Sequence, residues 1–212
     1  MLTYKLGCEN KYEKICIFGG SFNPPTIAHK TLAIKAAEKL NLDKVFFVPV
    51  GDGYKKDGLI DEKHRFKMLQ LICNSNEKLD VCDIEINKNY NFKAIDVFKL
   101  IDDIYKEDEK YFIMGADNFV NILNWKNATE LVSNYKFILL NRNEINLKET
   151  IKENETLNKN RLNFYYMDNM NDIKISSTCI RNAIKDEKVH DVKGMVDKNV
   201  LEYINEYNLY RN

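Results

Sequence analysis

Residues 15–29 of the chain read ICIFGGSFNPPTIAH. The apolar run 15–18 is typical of a buried strand, and the two glycines and two prolines after it favour an irregular turn. Apolar spacing from about Ile27 to Leu40 then predicts a helix. A strand joined to a helix by a short turn is the first half of a βαβ unit, so this segment predicts a parallel sheet.

The same alternation continues along the whole chain. Residues 141–160 are rich in Asn, Glu and Lys, which predicts a surface helix and loop. The predicted fold class is α/β, with a mostly parallel sheet covered by helices on both faces. Further strands are predicted at 44–50, 81–86, 110–114, 135–140 and 161–167, and further helices at 63–73, 94–105, 118–123, 127–132, 176–185 and 197–207.

Composition and length exclude several classes of protein. The 212 residues include 32 Lys and Arg against 32 Asp and Glu, so no net field is available to hold a long nucleic acid or an anionic membrane. No apolar run approaches the ~18 residues of a membrane helix, and no signal peptide precedes the first strand, which predicts a cytoplasmic protein. No Gly/Pro/Ser-rich linker divides the chain, which favours one domain over 15–212 after an N-terminal extension, 1–14.

Cysteine and histidine usage bears on metals and disulfides. The five cysteines are scattered without a C-x-x-C pair, and the three histidines stand at no ligand spacing from one another. The sequence therefore predicts reduced thiols and no metal site built by the protein itself.

The turn after the first strand is a candidate phosphate site. The carboxyl ends of parallel strands are where open α/β sheets bind ligands, and the next helix offers unpaired amides to an anion there. Thr26 and His29 are three residues apart at a helix start, so they share a face and can point at one phosphate. The alternative is an ordinary loop with a surface histidine.

A second candidate phosphate site is the stretch ISSTCIR at 175–181. Hydroxyl side chains cap exposed helix amides, and Arg181 falls about one turn inside the helix with a planar fork suited to phosphate oxygens. The alternative is a plain capping motif with a solvated arginine.

A third candidate stretch, Gly115-Ala116-Asp117, also follows a predicted strand. A carboxylate at a strand end can accept hydrogen bonds from ribose hydroxyls, and the single tryptophan, Trp125, can stack on a flat heterocycle. A tryptophan in the core is the alternative. Three strand–helix junctions that all carry ligand-type residues jointly predict a nucleotide site.

At these residues the chain resembles the nucleotidylyltransferase superfamily, which carries (H/T)xGH and ISSTxIR signatures on a Rossmann-like fold. More closely, it is similar to the bacterial nicotinate-nucleotide adenylyltransferases. The resemblance runs from about Ile15 to the C-terminus, and the match at 175–181 is its most specific part. It implies a doubly wound sheet and a small C-terminal helical part.

The resemblance also implies an activity and a set of roles. ATP and nicotinate mononucleotide would give deamido-NAD and pyrophosphate, with Mg²⁺ bound through the ATP phosphates. Catalytic roles would fall to Thr26, His29 and Arg181. ATP would contact Gly19, Gly20, Ser21, Phe22, Gly115, Asp117, Ser176, Ser177 and Thr178, and the acceptor would contact Lys55, Lys56, Tyr90 and Trp125.

Several residues depart from the family pattern. Thr26 replaces the first signature histidine, as in phosphopantetheine adenylyltransferases, Ala28 replaces the signature glycine, and Asn23 replaces an aspartate. The loop 53–56 reads GYKK in place of PPHK, and 89–91 reads NYN in place of SYT. Two alternatives stay open: an adenylyltransferase for another acceptor such as phosphopantetheine, and a non-catalytic nucleotide-binding paralogue. The oligomeric state is open too, a homo-oligomer included.

Overall fold

The computed structural model describes residues 12–105, 109–140, 145–167 and 175–211. Within these ranges six strands form one sheet in which every neighbouring pair is parallel, in the order β3-β2-β1-β4-β5-β6. The strands are β1 (Lys14–Gly20), β2 (Lys44–Pro49), β3 (Leu79–Val81), β4 (Glu109–Gly115), β5 (Lys136–Leu140) and β6 (Phe164–Met167).

Helices connect the strands and cover both faces of the sheet. Single 3₁₀ turns lie at Ile122–Asn124, Arg161–Asn163 and Val189–Val192. The helices are α1 (Ile27–Lys39), α2 (Glu62–Cys73), α3 (Ala94–Ile104), α4 (Ala116–Phe119), α5 (Ala128–Asn134), α6 (Leu147–Glu153), α7 (Glu155–Lys159), α8 (Ser177–Lys185) and α9 (Lys198–Glu206).

Each central strand sends alternate side chains into two separate cores. In β1, Ile15 and Ile17 face the core beneath α3 and α5, whereas Cys16 and Phe18 face the core beneath α1. This division follows from the period of two along a strand, and it explains why such strands read as continuous apolar runs. The α/β class and the helices on both faces are therefore confirmed.

A third core holds the C-terminal helices against α2. Met68 and Ile72 of α2 pack with Ile180 of α8 and with Val200 and Ile204 of α9, all of them fully buried. This cluster is the predicted small C-terminal helical part. It places the start of α8 beside the loop that follows β1.

The strand order makes the sheet doubly wound. From β1 the chain first builds outward through β2 and β3, and then returns to the other side of β1 to build β4, β5 and β6. This is the Rossmann order, in which the two halves part between β1 and β4. The predicted Rossmann-like fold is confirmed, and its switch point lies at the carboxyl ends of these two strands.

The strand predicted at 81–86 is wrong in its position. Strand β3 ends at Val81, and the amide of Ile86 donates to the carbonyl of Asp83 across 2.9 Å, which marks a turn. Ile84 and Ile86 are nonetheless buried. A turn packed against the core can therefore give the same alternation of apolar residues as a strand.

The described residues begin at Tyr12, just before the predicted start of the domain. Strand β1 begins at Lys14, and the amides of Glu13 and Lys14 donate to the Asp43 carboxylate across 2.8 and 2.9 Å. The rest of the predicted extension, residues 1–11 with Cys8, lies outside the described residues. In the described ranges no helix is long and apolar enough to cross a membrane.

Candidate active site

A cavity of about 350 Å³ opens at the switch point, between the carboxyl ends of β1 and β4. The ends of both strands form its floor, and the beginnings of α3 and α4 form part of its wall. Six of the residues singled out in the sequence line this cavity: Gly19, Gly20, His29, Gly115, Asp117 and Trp125. The first and third candidate stretches therefore meet in one site, although Asp117 follows His29 by almost ninety residues.

His29 is held in a defined orientation by the start of α1. Thr26 is the N-cap residue, and its backbone amide donates to His29 Nδ1 across 3.0 Å. Because an amide can only donate, Nδ1 accepts, and the neutral ring carries its proton on Nε2. The rings of Phe18 and Phe22 lie 5.9 and 5.1 Å from the imidazole and fix its plane.

Thr26 lies behind His29 at the start of α1. Its side chain is fully buried, and its Oγ1 lies 2.8 Å from His29 Nδ1 while accepting a bond from the His29 amide. As the N-cap of α1, the Thr26 hydroxyl accepts from a helix amide, and this contact turns Oγ1 towards the helix. Thr26 therefore contacts the cavity through His29 rather than directly.

Arg65 is a fully buried link between two loops at the rim of the site. Its Nη1 donates to the Ser21 carbonyl across 3.1 Å, and its Nε donates to the Ile60 carbonyl across 2.9 Å. Its Nη2 lies 3.8 Å from an Asp52 carboxylate oxygen. Burial lowers the pKa of this guanidinium from its ordinary value, and the nearby carboxylate of Asp52 acts against that shift.

Asn23 connects four segments of the chain. Its Nδ2 donates to the Gly58 carbonyl across 2.7 Å, and its Oδ1 accepts from the Tyr210 hydroxyl at 3.0 Å and from the Ile60 amide at 3.4 Å. Its carbonyl accepts from Arg181 Nη1 at 2.8 Å. The amide donor to Gly58 is a bond that an aspartate could not make, so asparagine suits this position.

The second candidate stretch docks on the same loop. Ser176 caps α8, and the Ser177 hydroxyl donates to the Pro24 carbonyl across 2.8 Å. Arg181 bonds the loop through Nη1, as above, and its Nη2 donates to Thr178 Oγ1 across 3.2 Å. The structure thus brings the start of α8 to the opening loop, but these four residues do not line the cavity itself.

Two residues of the third candidate stretch pack closely on each other. A Cβ added to Gly115 would overlap Asp117 Oδ1, so the Asp117 carboxylate would have to shift. Trp125 is half-buried: it packs against the core beneath α3 and also lines the cavity. The ring therefore serves the core and remains exposed to a ligand.

Glu85 is a buried carboxyl in the cavity wall that sequence reasoning missed. Its Oε2 accepts from the Gly51 amide across 3.3 Å, and Glu85 is one of the residues that line the cavity. Burial raises its pKa to about 7, with the nearby Glu62 carboxylate adding to the shift. Gly51 is required here, because a Cβ at this position would collide with the Glu85 carbonyl.

Three of the four residues predicted to bind the acceptor do not line the cavity. Lys55 and Lys56 are exposed, Lys55 Nζ donates to the Asp52 carbonyl across 3.0 Å, and neither lysine lines the cavity. Tyr90 is also outside the lining and is 51% exposed.

Three residues missed by the sequence reasoning line the cavity beside Tyr90. They are Phe92, Lys93 and Ala94, at the start of α3, and the Tyr90 ring packs edge-on against Phe92. A usable signal was present in the sequence. Phe92, Lys93 and Ala94 lie at the start of a helix that follows a strand, and the three candidate stretches lie at the same kind of position.

The six described strands, wound in two directions around a cavity at the switch point, define a nucleotide-binding α/β protein of the doubly wound class. The model of the cytidylyltransferase-like family matches residues 17–183. A Fusobacterium nucleatum protein named probable nicotinate-nucleotide adenylyltransferase is 36% identical over 200 residues, covering 90% of this chain and 96% of the relative. The chain therefore belongs to the cytidylyltransferase-like family and, within it, to the nicotinate-nucleotide adenylyltransferases.

A further relative supports this membership, and a solved structure supports the fold. A Clostridium novyi protein of the same name is 32% identical over 200 residues, covering 92% of this chain and 98% of the relative. The structure of Plasmodium falciparum nicotinic acid mononucleotide adenylyltransferase complexed with APC has a TM-score of 0.73 at 24% identity, covering 93% of this chain and 97% of that one. Because the identity is only 24%, the likeness to this solved structure supports the fold alone.

The raised pKa of Glu85 predicts a pH-dependent stability. A folded-state pKa of about 7 lies above the ordinary 4.5, so the folded protein binds this proton more tightly and loses stability as pH rises from about 4.5 to 7. In Glu85→Gln this loss is absent. The free energy of unfolding of the variant, relative to wild type, should therefore be higher at pH 8 than at pH 5, measured by urea denaturation. Glu153→Gln, at an exposed position, is the control; an equal pH response in both variants would contradict the prediction.

The contacts of Asn23 predict a graded loss of stability. Asn23→Ala removes three side-chain hydrogen bonds between partly buried groups and should lower the free energy of unfolding by about 2 to 3 kcal/mol. Tyr210→Phe removes one of them and should cost about 1 kcal/mol. Chemical denaturation of both variants measures the two losses, and similar losses would show that Asn23 does not join these segments.

Proposed function

We propose that the protein transfers the adenylyl group of ATP to nicotinate mononucleotide, giving deamido-NAD and pyrophosphate in NAD synthesis. The observation that carries this proposal is a single cavity in which the glycine turn and His29 of one half of the sheet face Asp117 and Trp125 of the other. Family membership adds to it. We also propose that residues 15–212 work as one domain, with the residues before them as an extension.

The ATP end of the cavity is proposed to lie at the opening loop. His29 would donate its Nε2–H to a phosphate oxygen, and Gly19 and Gly20 would let the phosphates approach the backbone closely. Ser21 and Phe22 would shape the turn. The start of α8, with Ser176, Ser177, Thr178 and Arg181, would supply further donors to the outer phosphates, and Gly115 and Asp117 would contact the adenosine.

The acceptor end is proposed to lie between the start of α3 and Trp125. The indole would stack on the pyridine ring, with Tyr90 at its edge. Lys55 and Lys56 would reach the acceptor from their loop. In the structure neither lysine lines the cavity, so this contact requires the loop to move.

The proposed reaction is a direct displacement. An oxygen of the acceptor's phosphate attacks the α-phosphorus of ATP, the bond from that phosphorus to the bridging oxygen breaks, and pyrophosphate leaves with that oxygen. Mg²⁺ carried on the ATP phosphates would neutralise part of their charge, and the exposed Asp117 carboxylate is an oxygen donor of the kind such an ion accepts. Positioning of the two phosphates and donation from His29 then supply the rate.

Pyrophosphate release from ATP tests the reaction and the role of His29 together. Wild type should release pyrophosphate with nicotinate mononucleotide and much less with phosphopantetheine. In His29→Ala, kcat should fall by ~10²-fold or more while the KM for ATP changes less, because a fixed donor to developing phosphate charge is lost.

Two variants control this experiment. His190→Ala removes an imidazole that is 78% exposed and outside the cavity, and should leave kcat unchanged. His29→Gln, which keeps an N–H donor, should recover part of the rate. Release with phosphopantetheine and not with nicotinate mononucleotide would identify phosphopantetheine as the acceptor. No release with either compound would favour a non-catalytic nucleotide-binding paralogue.

Trp125 provides a test of the acceptor end. Trp125→Ala should raise the KM for nicotinate mononucleotide by an amount equivalent to about 1 to 2 kcal/mol, while the KM for ATP stays nearly constant. Trp125→Phe keeps a flat ring and should lose less. Steady-state kinetics beside a melting curve separates the roles: lowered stability with both substrates affected alike would assign Trp125 to the core.

A further inference from the structure

Lys93 lies at the acceptor end of the cavity and has no role in the reaction described above. It is the N-cap residue of α3, it is exposed, and it is one of the residues that line the cavity next to Phe92. Trp125 lines the same cavity. A cation therefore stands at a part of the site that also presents two aromatic side chains.

The charges around the cavity make Lys93 distinctive. Of the described residues that line it, Lys93 is the one Lys or Arg, whereas two carboxyl groups, Glu85 and Asp117, face the same space. Arg65 and Arg181 lie outside the lining and donate to backbone carbonyls of the opening loop. For an anionic group at this end of the cavity, Lys93 is therefore the Lys or Arg of the lining that can form an ion pair.

The surroundings of Lys93 favour a ligand partner for its ammonium group. Its backbone amide already donates to Asp96 Oδ2 across 3.0 Å, so the amide is occupied. The Asp96 carboxylate is further paired with Lys126 at 2.8 Å. Within the described part of the chain, the Lys93 ammonium has no carboxylate within ion-pair distance.

The Asp96–Lys126 pair also holds the two walls together. It joins the start of α3 to the residue that follows Trp125, so Lys93 and the indole are fixed on neighbouring segments. A flat ring stacked on the indole would place a substituent of that ring near the start of α3. A cation is well suited to bind a carboxylate there and gains little from a neutral amide.

We propose that Lys93 pairs with the carboxylate of the pyridine ring and thereby selects the nicotinate over the nicotinamide mononucleotide. This inference rests on the proposed function, and it assigns a specificity role to a residue that the reaction itself does not use. The two mononucleotides share their ribose and phosphate, so the preference must come from a group that reads the ring substituent.

The test compares the two mononucleotides in wild type and Lys93→Gln. Wild type should prefer nicotinate mononucleotide, both in the kcat/KM for pyrophosphate release and in the dissociation constant measured by calorimetry. In Lys93→Gln the preference should fall by about tenfold, the scale of one charge-assisted hydrogen bond, with the nicotinamide form little affected. Lys93→Arg should keep most of the preference.

Lys99→Gln is the matched control, because Lys99 is on the same helix, is exposed and pairs with Glu130 outside the cavity. It should leave the preference unchanged. An equal loss for both mononucleotides in Lys93→Gln would assign the ammonium to the shared phosphate and overturn the proposal, as would an unchanged preference. Selective binding without any pyrophosphate release in wild type would instead contradict the proposed function and leave the Lys93 inference standing.

Discussion

Strand β1 at the centre of the sheet determines where a ligand site can form. It pairs in parallel with β2 on one side and with β4 on the other, and the chain winds away from it in both directions. The connections on the two sides therefore part above the carboxyl ends of β1 and β4, which leaves a gap between them. Gly19 and Gly20 at the end of β1 add no side chain to this gap, and a cavity is the consequence of the topology.

The loop that leaves this gap is shaped by residues from distant parts of the chain. Asn23 bonds Tyr210, which is 187 residues away in sequence, and accepts from Arg181, which is 158 residues away. Arg65 holds the Ser21 carbonyl from α2. The loop that follows β1 is thus held in part by the C-terminal helical part, which itself packs on α2 through an apolar cluster.

The sequence predicts the fold well where burial follows a regular period. Strand β1 and helix α1 are close to their predicted bounds, because strands buried on both faces and helices with an apolar face leave clear patterns. Strand β3 is misplaced because the turn after it buries Ile84 and Ile86 at strand-like spacing. At the site, the inward turn of Thr26 could not be predicted, since it depends on a hydrogen bond whose geometry the spacing alone does not determine.

The electrostatics of the cavity follow from burial rather than from the charge of the whole chain. With 32 basic and 32 acidic residues the protein has no net field to draw in anionic substrates, so attraction must come from groups at the cavity itself. Two ionised carboxylates in its wall would oppose phosphate binding. Burial raises the pKa of Glu85 to about 7, so near neutral pH this carboxyl is partly protonated and repels phosphate less. Lys93 is an exposed residue of the same lining, and its charge would favour an anion at the proposed acceptor end.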